Sequence, residues 1–289
     1  MTEGKPLTKE DVLKLIKEHG GTDGLDLSGR NLEGIDLSDL DLWGINLQGA
    51  ILIQANLELT KLNLVNLRVS FLKDADLQYA ELIGTNLQGA DLEDANLQGT
   101  DLRGADLSKV SLFGAQISRE TKLENVYWGS KYILGEEEDE DFQEATQVYR
   151  QLKQWHTEAG MYDIAGRFYY REMEARRKAR NWRREPFLKL WSSAMRLLCG
   201  YGEGVGFVVA WGVAIVFGLA AAYYFLGTLK PETFANSLYY STVSFTAVGY
   251  GSWAPKPEGW AKGMGAAEAV IGVFMMALFL VTFTRKMTR

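Results

Sequence analysis

The first part of the chain has leucine at every fifth position. The series runs without interruption from Leu27 to Leu112, and Ile117 continues it. The position two residues before each leucine is mostly small or β-branched, and the position in between is most often Asp or Asn. Such spacing would carry the leucines around an α-helix and would alternate them between the faces of a strand. A chain that turns a corner every five residues keeps them all inside, so we predict a solenoid with the leucines and the small residues in its core.

Two consecutive units show the pattern clearly: Ala90-Asp91-Leu92-Glu93-Asp94 and Ala95-Asn96-Leu97-Gln98-Gly99. They resemble the A(D/N)LXX motif of the pentapeptide-repeat family. The resemblance implies a right-handed, quadrilateral β-helix with four repeats per coil over residues 21–118, acting as a scaffold. An alternative role implied by the same family is DNA mimicry toward topoisomerases. The Asp and Asn side chains are expected to serve turns and edges, not a carboxylate site.

A helical cap is predicted at the start of the solenoid, in residues 1–20. The end of a solenoid needs covering. Thr8, with acids in the turn that follows, is typical of a helix start, and Gly20 is typical of a helix end. The expected helix covers residues 8–19. Its predicted apolar face comprises Leu13, Leu15 and Ile16.

Residues 119–204 are predicted to form an acidic hinge followed by a basic helical linker. Six consecutive acids, 136–141, indicate a solvated, flexible segment. A divalent-cation sensor is the alternative, but the spaced ligands of an EF-hand loop are missing. Helical periodicity follows on both sides of Gly160, and its second half resembles a tetratricopeptide repeat. One such hairpin is typical of a structural spacer.

Basic residues dominate the chain just before its apolar part. The segment from Arg167 to Arg196 contains ten Lys and Arg and three Glu, so its net charge is +7. We predict that this segment meets the anionic headgroups of membrane lipids. Nucleic acid is not expected as a partner, because no stacking platform or recognition motif accompanies the charge.

Two long apolar stretches follow. Residues 205–227 contain no charged residue, and residues 264–284 contain only Glu268. Each stretch is long enough to cross a bilayer as a helix. Basic residues precede the first span and follow the second. We therefore expect a two-span protein of the plasma membrane with both termini in the cytoplasm.

The loop between the spans carries the functional signal. An amphipathic segment, 233–245, has the length and pattern of a short helix, and Thr246-Ala247-Val248-Gly249-Tyr250-Gly251 follows it. A pore helix followed by Val-Gly-Tyr-Gly between two spans resembles the pore domain of the potassium-channel superfamily, over residues 205–286. The resemblance implies an all-α pore domain, residues 205–289, in a homotetramer that conducts K⁺ passively, and it points to a prokaryotic protein.

The backbone carbonyl groups of this segment explain how it could bind K⁺. A dehydrated K⁺ needs a ring of oxygens in place of its hydration shell, so we predict K⁺ sites at the carbonyls of Val248, Gly249 and Tyr250. The carbonyls point at one axis only if successive residues alternate between left- and right-handed backbone, which Gly249 and Gly251 permit. One chain supplies one strand of the cage, so three identical subunits are expected as partners.

Four residues outside the filter receive candidate roles. Tyr239 and Tyr240 are predicted to form an aromatic cuff around the filter. Glu268 would be costly in lipid and is expected to face the back of the filter and pore helix. Gly272 is a candidate gating hinge, although a glycine within a span also allows close helix packing.

Two features depart from the family pattern. The family usually places Thr where this chain has Ala247, and the Thr hydroxyl makes the innermost ion site. A weakly selective cation channel is therefore an alternative. The family also often has an acid after the last glycine, sometimes paired with an acid in the pore helix, where this chain has Ser252 and Val243.

Other functional classes find little support. Two His and one Cys exclude a Cys/His zinc site and a disulfide framework. We expect no enzyme and no organic cofactor, because no nucleophile–base pair, phosphate loop or metal cluster is recognisable. A membrane-tethered interaction scaffold with a vestigial pore is the alternative outside the channels, and the intact filter glycines argue against it. The solenoid remains open to an unknown protein or ligand.

Overall fold

The computed structural model describes residues 5–249, 251 and 255–287, and it divides into two compact units, Met1–Ala179 and Arg180–Arg289. The first unit contains a β-ladder and four helices: α1 (Lys9–His19), α2 (Gly135–Glu138), α3 (Phe142–Glu158) and α4 (Tyr162–Ala179). The second contains four helices and two short strands: α5 (Pro186–Cys199), α6 (Val205–Phe225), β1 (Leu229–Lys230), α7 (Phe234–Thr246), β2 (Lys256–Pro257) and α8 (Ala261–Met287).

The ladder is built from parallel bridges between residues twenty positions apart, such as Asp26 with Asn46 and Asn46 with Asn66. Twenty residues are four five-residue repeats, so each coil contains four repeats. The repeated leucines from Leu27 to Leu112 are buried in one continuous core, as the five-residue spacing predicts. The small residues that precede them, from Ala50 to Ala105, are buried with them.

The Asp and Asn positions serve the turns. The side-chain oxygen of Asp26 accepts a hydrogen bond from the backbone of Ser28, and Asn86 does the same for Gln88. The same hydrogen bond, from a backbone N–H to the Asp or Asn side chain two residues earlier, recurs in most repeats. It stabilises each turn locally, as such side-chain bonds generally do. These residues are therefore turn chemistry, as predicted.

The ladder continues beyond residue 118, where the leucine series stops. Bridges join Asp101 to Lys122 and Asp106 to Tyr127, so the spacing changes from twenty to twenty-one residues. One residue has been inserted in the turn after Ile117, and the register shifts by one position. Trp128 consequently occupies the inner position and is buried.

α1 covers the start of the solenoid. Thr8 and Asp11 form a reciprocal capping box, and Gly20 ends the helix in the left-handed conformation. The buried residue of this helix is Val12, while Leu13 is exposed. The predicted apolar face is thus wrong at Leu13, because Leu15 and Ile16 share a helix face with Val12, three and four residues away.

The acidic run is solvated only in its second part, because residues 138–141 are exposed and the first two acids are not. Glu136 and Glu137 lie in α2 and are buried. The Glu136 carboxylate accepts the backbone N–H of Leu112, and the backbone N–H of Gly135 donates to Val110 O. These bonds occupy backbone groups that the last coil would otherwise leave open. The first two acids therefore belong to a cap.

α3 and α4 form the helical hairpin that the periodicity predicts. Gln151 of α3 donates to Ala115 O and Trp155 donates to Ser118 O, so the hairpin lies on the last coil. Glu137 is paired with Arg171 and Lys178 of α4. Burial disfavours the Glu137 carboxylate, but hydrogen bonds from these two cations outweigh it and lower its pKa. The predicted linker is consequently divided, since its first part belongs to the solenoid unit and its second part begins the other unit.

In the second unit, two helices are long and apolar enough to cross a membrane, Val205–Phe225 and Ala261–Thr284. α7 lies between them in sequence and packs against both. β1 pairs with β2, and Lys230 Nζ lies 3.1 Å from Glu258 Oε2. Both contacts join the two ends of the segment that connects α6 to α8. α8 begins at Ala261, three residues earlier than the apolar pattern suggests, because the helix continues through polar residues such as Lys262.

Candidate ion-conduction site

The site is built around the C-terminal end of α7. This helix begins at Thr233, whose hydroxyl accepts the backbone N–H of Asn236, and ends at Ala247 in the left-handed conformation. Its buried face consists of Tyr240 and three serines at helical spacing, Ser237, Ser241 and Ser244. The helix thus has a polar seam turned toward the spans, and its carbonyl end is directed at the segment that follows.

The backbone after α7 alternates in hand. Ala247 has φ +52°, Gly249 has φ +99°, and Val248 between them does not have a positive φ. Positive φ is unfavourable for a residue with a β-carbon and is easily adopted by glycine. The Val248 side chain is 80% exposed in the single chain. Tyr250, a predicted filter residue, lies outside the described residues.

Behind α7 lies a buried carboxylate. Glu268 of α8 has no exposed surface. It accepts a hydrogen bond from the hydroxyl of Tyr223 in α6 at 2.9 Å, and a second from Ser241 in α7. The Ser241 hydroxyl is also 2.9 Å from Val216 O. One side chain therefore joins the two spans and the short helix, and its hydrogen bonds offset the cost of placing a carboxylate there.

The two candidate cuff tyrosines have different surroundings. Tyr240 is buried, its hydroxyl donates to Ala261 O, and its ring meets Tyr223 edge-on with centroids 5.2 Å apart. This places Tyr240 against the spans. Tyr239 is half-buried. The predicted cuff around the filter also involves residue 250, which lies outside the described residues.

Gly272 lies where α8 crosses the end of α7. A β-carbon at this position would be 1.8 Å from Phe245 O. α8 runs through Gly272 as one continuous helix. Close approach of two backbones, the second of the two predicted roles, is therefore what this glycine provides in the described structure.

Sequence reasoning did not find the partners of Glu268. Tyr223 and Ser241 lie 45 and 27 residues from Glu268 in the chain, and no local pattern links them to it. A usable signal existed, because serines at positions i, i+4 and i+7 of a helix between two membrane spans indicate a polar face that must be satisfied inside the protein.

Comparison with protein families assigns both parts of the chain. Residues 26–68 and 71–118 match the family described as pentapeptide repeats, in eight copies. Residues 211–289 match the family described as ion channel. The chain therefore joins pentapeptide repeats to an ion-channel domain of the two-span potassium-channel type. It is a membrane protein with two spans.

Several solved structures are similar to the repeat part. One is a pentapeptide repeat protein from the thylakoid lumen of Arabidopsis thaliana, 28% identical, covering 34% of this chain and 68% of that one, with a TM-score of 0.33. A protein of the cyanobacterium Cyanothece is 29% identical over 37% of this chain and 87% of its own, with a TM-score of 0.24. A Nostoc protein is 29% identical over 43% and 98%, with a TM-score of 0.22. None of the curated proteins compared with the chain matches it.

Proposed function

We propose that this protein is the subunit of a homotetrameric, potassium-selective channel whose filter is formed by Thr246–Gly251. Both termini lie in the cytoplasm, and the channel is in the plasma membrane. The observation that carries the proposal is the left-handed Gly249, which follows directly on a short helix set between two membrane spans. That combination suits a carbonyl cage for a dehydrated cation.

Conduction in this proposal uses main-chain oxygens. Four copies of the segment surround one axis, and the carbonyls of residues 247–250 replace the water around K⁺. The alternating hand of Ala247, Val248 and Gly249 supports this arrangement, because it turns successive carbonyls the same way. The negative ends of four α7 dipoles point toward the cation. Flow is passive and follows the electrochemical gradient.

The buried groups behind α7 act as positioning residues. Glu268 holds Ser241 and Tyr223 together, and Gly272 lets the end of α7 approach α8 closely. Both contacts fix where the filter segment starts. The carboxylate that holds α7 in place therefore comes from α8, and it takes the place of the acid that relatives carry in the pore helix.

A weakly selective cation channel is the second candidate. Ala247 provides a methyl group where relatives have a hydroxyl, so one ion layer has fewer oxygens. Fewer ligands weaken the discrimination between K⁺ and Na⁺. The two candidates differ in the reversal potential measured under a K⁺/Na⁺ gradient.

The solenoid has a separate role in the proposal. We assign it a scaffold or regulatory function on the cytoplasmic side, with a right-handed coil. Its continuous interior of stacked leucines and small residues supports a structural part.

Gly249→Ala tests the proposed filter. A β-carbon at φ +99° costs about 1–2 kcal/mol in each subunit, and fourfold symmetry applies it four times around one axis. We expect the tetramer, about four times 32.3 kDa, to form while selective K⁺ flux in proteoliposomes is lost. Gly218→Ala in α6 is the matched control, because no atom lies within 4 Å of the added carbon. Wild-type K⁺ flux from Gly249→Ala would exclude conduction through these carbonyls.

A further inference from the structure

One side of the solenoid presents both signs of charge along its midline. It is formed by the stacked repeats 40–44, 60–64, 80–84 and 100–104, and we call it the Lys61 side. Bridges join these repeats through one central row, which consists of Asp41, Lys61, Glu81 and Asp101. In this row a cation and an acid, Lys61 and Glu81, lie on adjacent coils.

Large apolar side chains flank the central row. Three of them lie on the Lys61 side itself, and two lie at the corner that precedes it. They are 37% to 59% exposed: Trp43, Leu59, Leu64, Tyr79 and Ile83. On the next side along the chain, the positions that correspond to Trp43 and Ile83 are occupied by Gln48 and Gln88. The apolar residues are therefore a property of this side and not of the repeat in general.

Two of these side chains lie flat against their own solenoid. The ring of Tyr79 lies over Gly99 on the next coil, and Leu64 lies over Gly84, where an added β-carbon would overlap them. Their outer faces remain open to solvent in the single chain. Aromatic and leucine side chains that are held in place on a surface cost little entropy when a partner covers them. They indicate an interaction surface.

The charges of the Lys61 side are complementary to the same side turned end for end. Lys61 is exposed and pairs with no carboxylate among the described residues. A two-fold axis that lies in the interface, midway between the coils of Lys61 and Glu81, would place each Lys61 opposite Glu81 of the other copy. A parallel pair would place Lys61 opposite Lys61, and like charges in contact are unfavourable. The charge pattern therefore selects an antiparallel pair.

We propose that the Lys61 side binds the Lys61 side of a second copy of this chain, in antiparallel orientation and within one tetramer. In this arrangement Leu59 faces Tyr79 of the second copy, and Trp43 faces Arg103 of the second copy, which suits a contact between a guanidinium and an aromatic ring. Self-complementary charge favours a second copy over an unrelated protein. The pairing rests on the proposed function, because the tetramer brings the solenoids together.

The size of the surface explains why the tetramer is needed. Four layers at about 4.8 Å and a width of about 10–15 Å give about 200–300 Å² per copy. A stable complex buries about 800 Å² per partner, so two free solenoids would not stay together. Solenoids attached to one pore have an effective concentration of about 1 mM. A surface of this size can pair under that condition.

Cysteine cross-linking of the full-length protein tests the pairing and its direction. Trp43→Cys and Arg103→Cys are introduced together in a Cys199→Ser background, and purified protein is treated with bismaleimidoethane. The two positions are three coils apart in one chain, about 14 Å, which the short reagent does not span. We expect covalent dimers from the double variant and none from either single variant. Ser38→Cys/Gln98→Cys, at the corresponding positions of the preceding side, is the matched control and should give none.

Charge reversal tests whether Lys61 and Glu81 meet. In the double-cysteine background, Lys61→Glu and Glu81→Lys should each lower the rate of dimer formation by about fivefold. The two reversals together should restore the rate, because they re-create opposed charges. Restoration excludes misfolding as the cause of the loss. Unchanged rates in both single reversals would refute the predicted register.

The native mass of the same preparation separates the remaining outcomes. Tetramers that give no covalent dimer would overturn the pairing and leave the proposed channel intact. Covalent dimers from the single-cysteine variants would indicate a parallel pair and refute the antiparallel one. Cross-links that join two tetramers into an octamer would refute pairing within one tetramer. An assembly other than a tetramer would contradict the proposed function and, with it, the attachment on which the pairing depends.

Discussion

Gly272→Ala adds one methyl group at the crossing of α8 and α7. The added carbon would lie 1.8 Å from Phe245 O, and contacts under 3.0 Å essentially never occur, so the end of α7 has to move by at least about 1.2 Å. The neighbour is backbone, and no side-chain rotation relieves the clash. Over-packing of this kind costs about 1–3 kcal/mol, which exceeds the gain of about 1 kcal/mol that Ala brings to a helix.

The displaced end of α7 carries the filter segment with it. We therefore expect Gly272→Ala to reduce K⁺ over Na⁺ selectivity, measured as the reversal potential of purified protein in planar bilayers. Gly263→Ala on the same helix is the matched control, because no atom lies within 4 Å of its added carbon. A hinge role predicts a different result, namely altered open probability at unchanged selectivity. Wild-type selectivity in Gly272→Ala would refute the packing argument.

Three further predictions concern buried groups. Trp128→Ala should lower the stability of the solenoid unit by about 3–5 kcal/mol, seen as loss of its thermal transition; the exposed Trp43→Ala should leave the transition unchanged. Burial lowers the pKa of His156, although a hydrogen bond with Leu152 O opposes this effect. The unfolded state therefore takes up a proton before the folded state as the pH falls below about 6.5, and the stability of the unit decreases. The protection factors of the amide hydrogens in α3, which correct for the slower intrinsic exchange at low pH, should fall between pH 7 and pH 5, and His156→Phe should flatten this dependence. Glu268→Ala removes the carboxylate that accepts from Tyr223 and Ser241, and leaves Ser241 with Val216 O. Loss of such a buried acceptor costs about 1–3 kcal/mol, so Glu268→Ala should lower the melting temperature in detergent more than Glu268→Gln, which keeps an acceptor oxygen.

The regular part of the fold was readable because its chemistry repeats. Every inner leucine between Leu27 and Leu112 reports the same geometry, and each repeat adds independent support. Trp128 was not readable in the same way, because a one-residue insertion after Ile117 breaks the five-residue count while the ladder continues. Counting every fifth position detects only identical spacing, whereas the backbone bridges continue when a turn contains one extra residue.

Charge patterns were the weakest guide. Six consecutive acids predict solvation, yet Glu136 and Glu137 are buried, since one accepts Leu112 N–H and the other meets Arg171 and Lys178. These three partners are 24 or more residues away in the chain, and no local pattern shows them. In the membrane part, by contrast, local sequence patterns were a good guide to the helices. Its helices and the glycines of the filter segment are local features, whereas the contacts of Glu268 again depend on packing between helices.

The two covered ends of the solenoid limit how chains can associate. A ladder of parallel bridges has open hydrogen-bonding edges only at its first and last coils, and an open edge is a template for another chain. Leu7 N–H donates to Asn31 O at one end, and Gly135, Glu136, Gln151 and Trp155 occupy the backbone groups of the other. End-to-end growth into a filament is therefore blocked on both sides. Copies of this chain have to meet through side-chain surfaces or through the membrane part, where the proposed tetramer would be closed by its rotational symmetry.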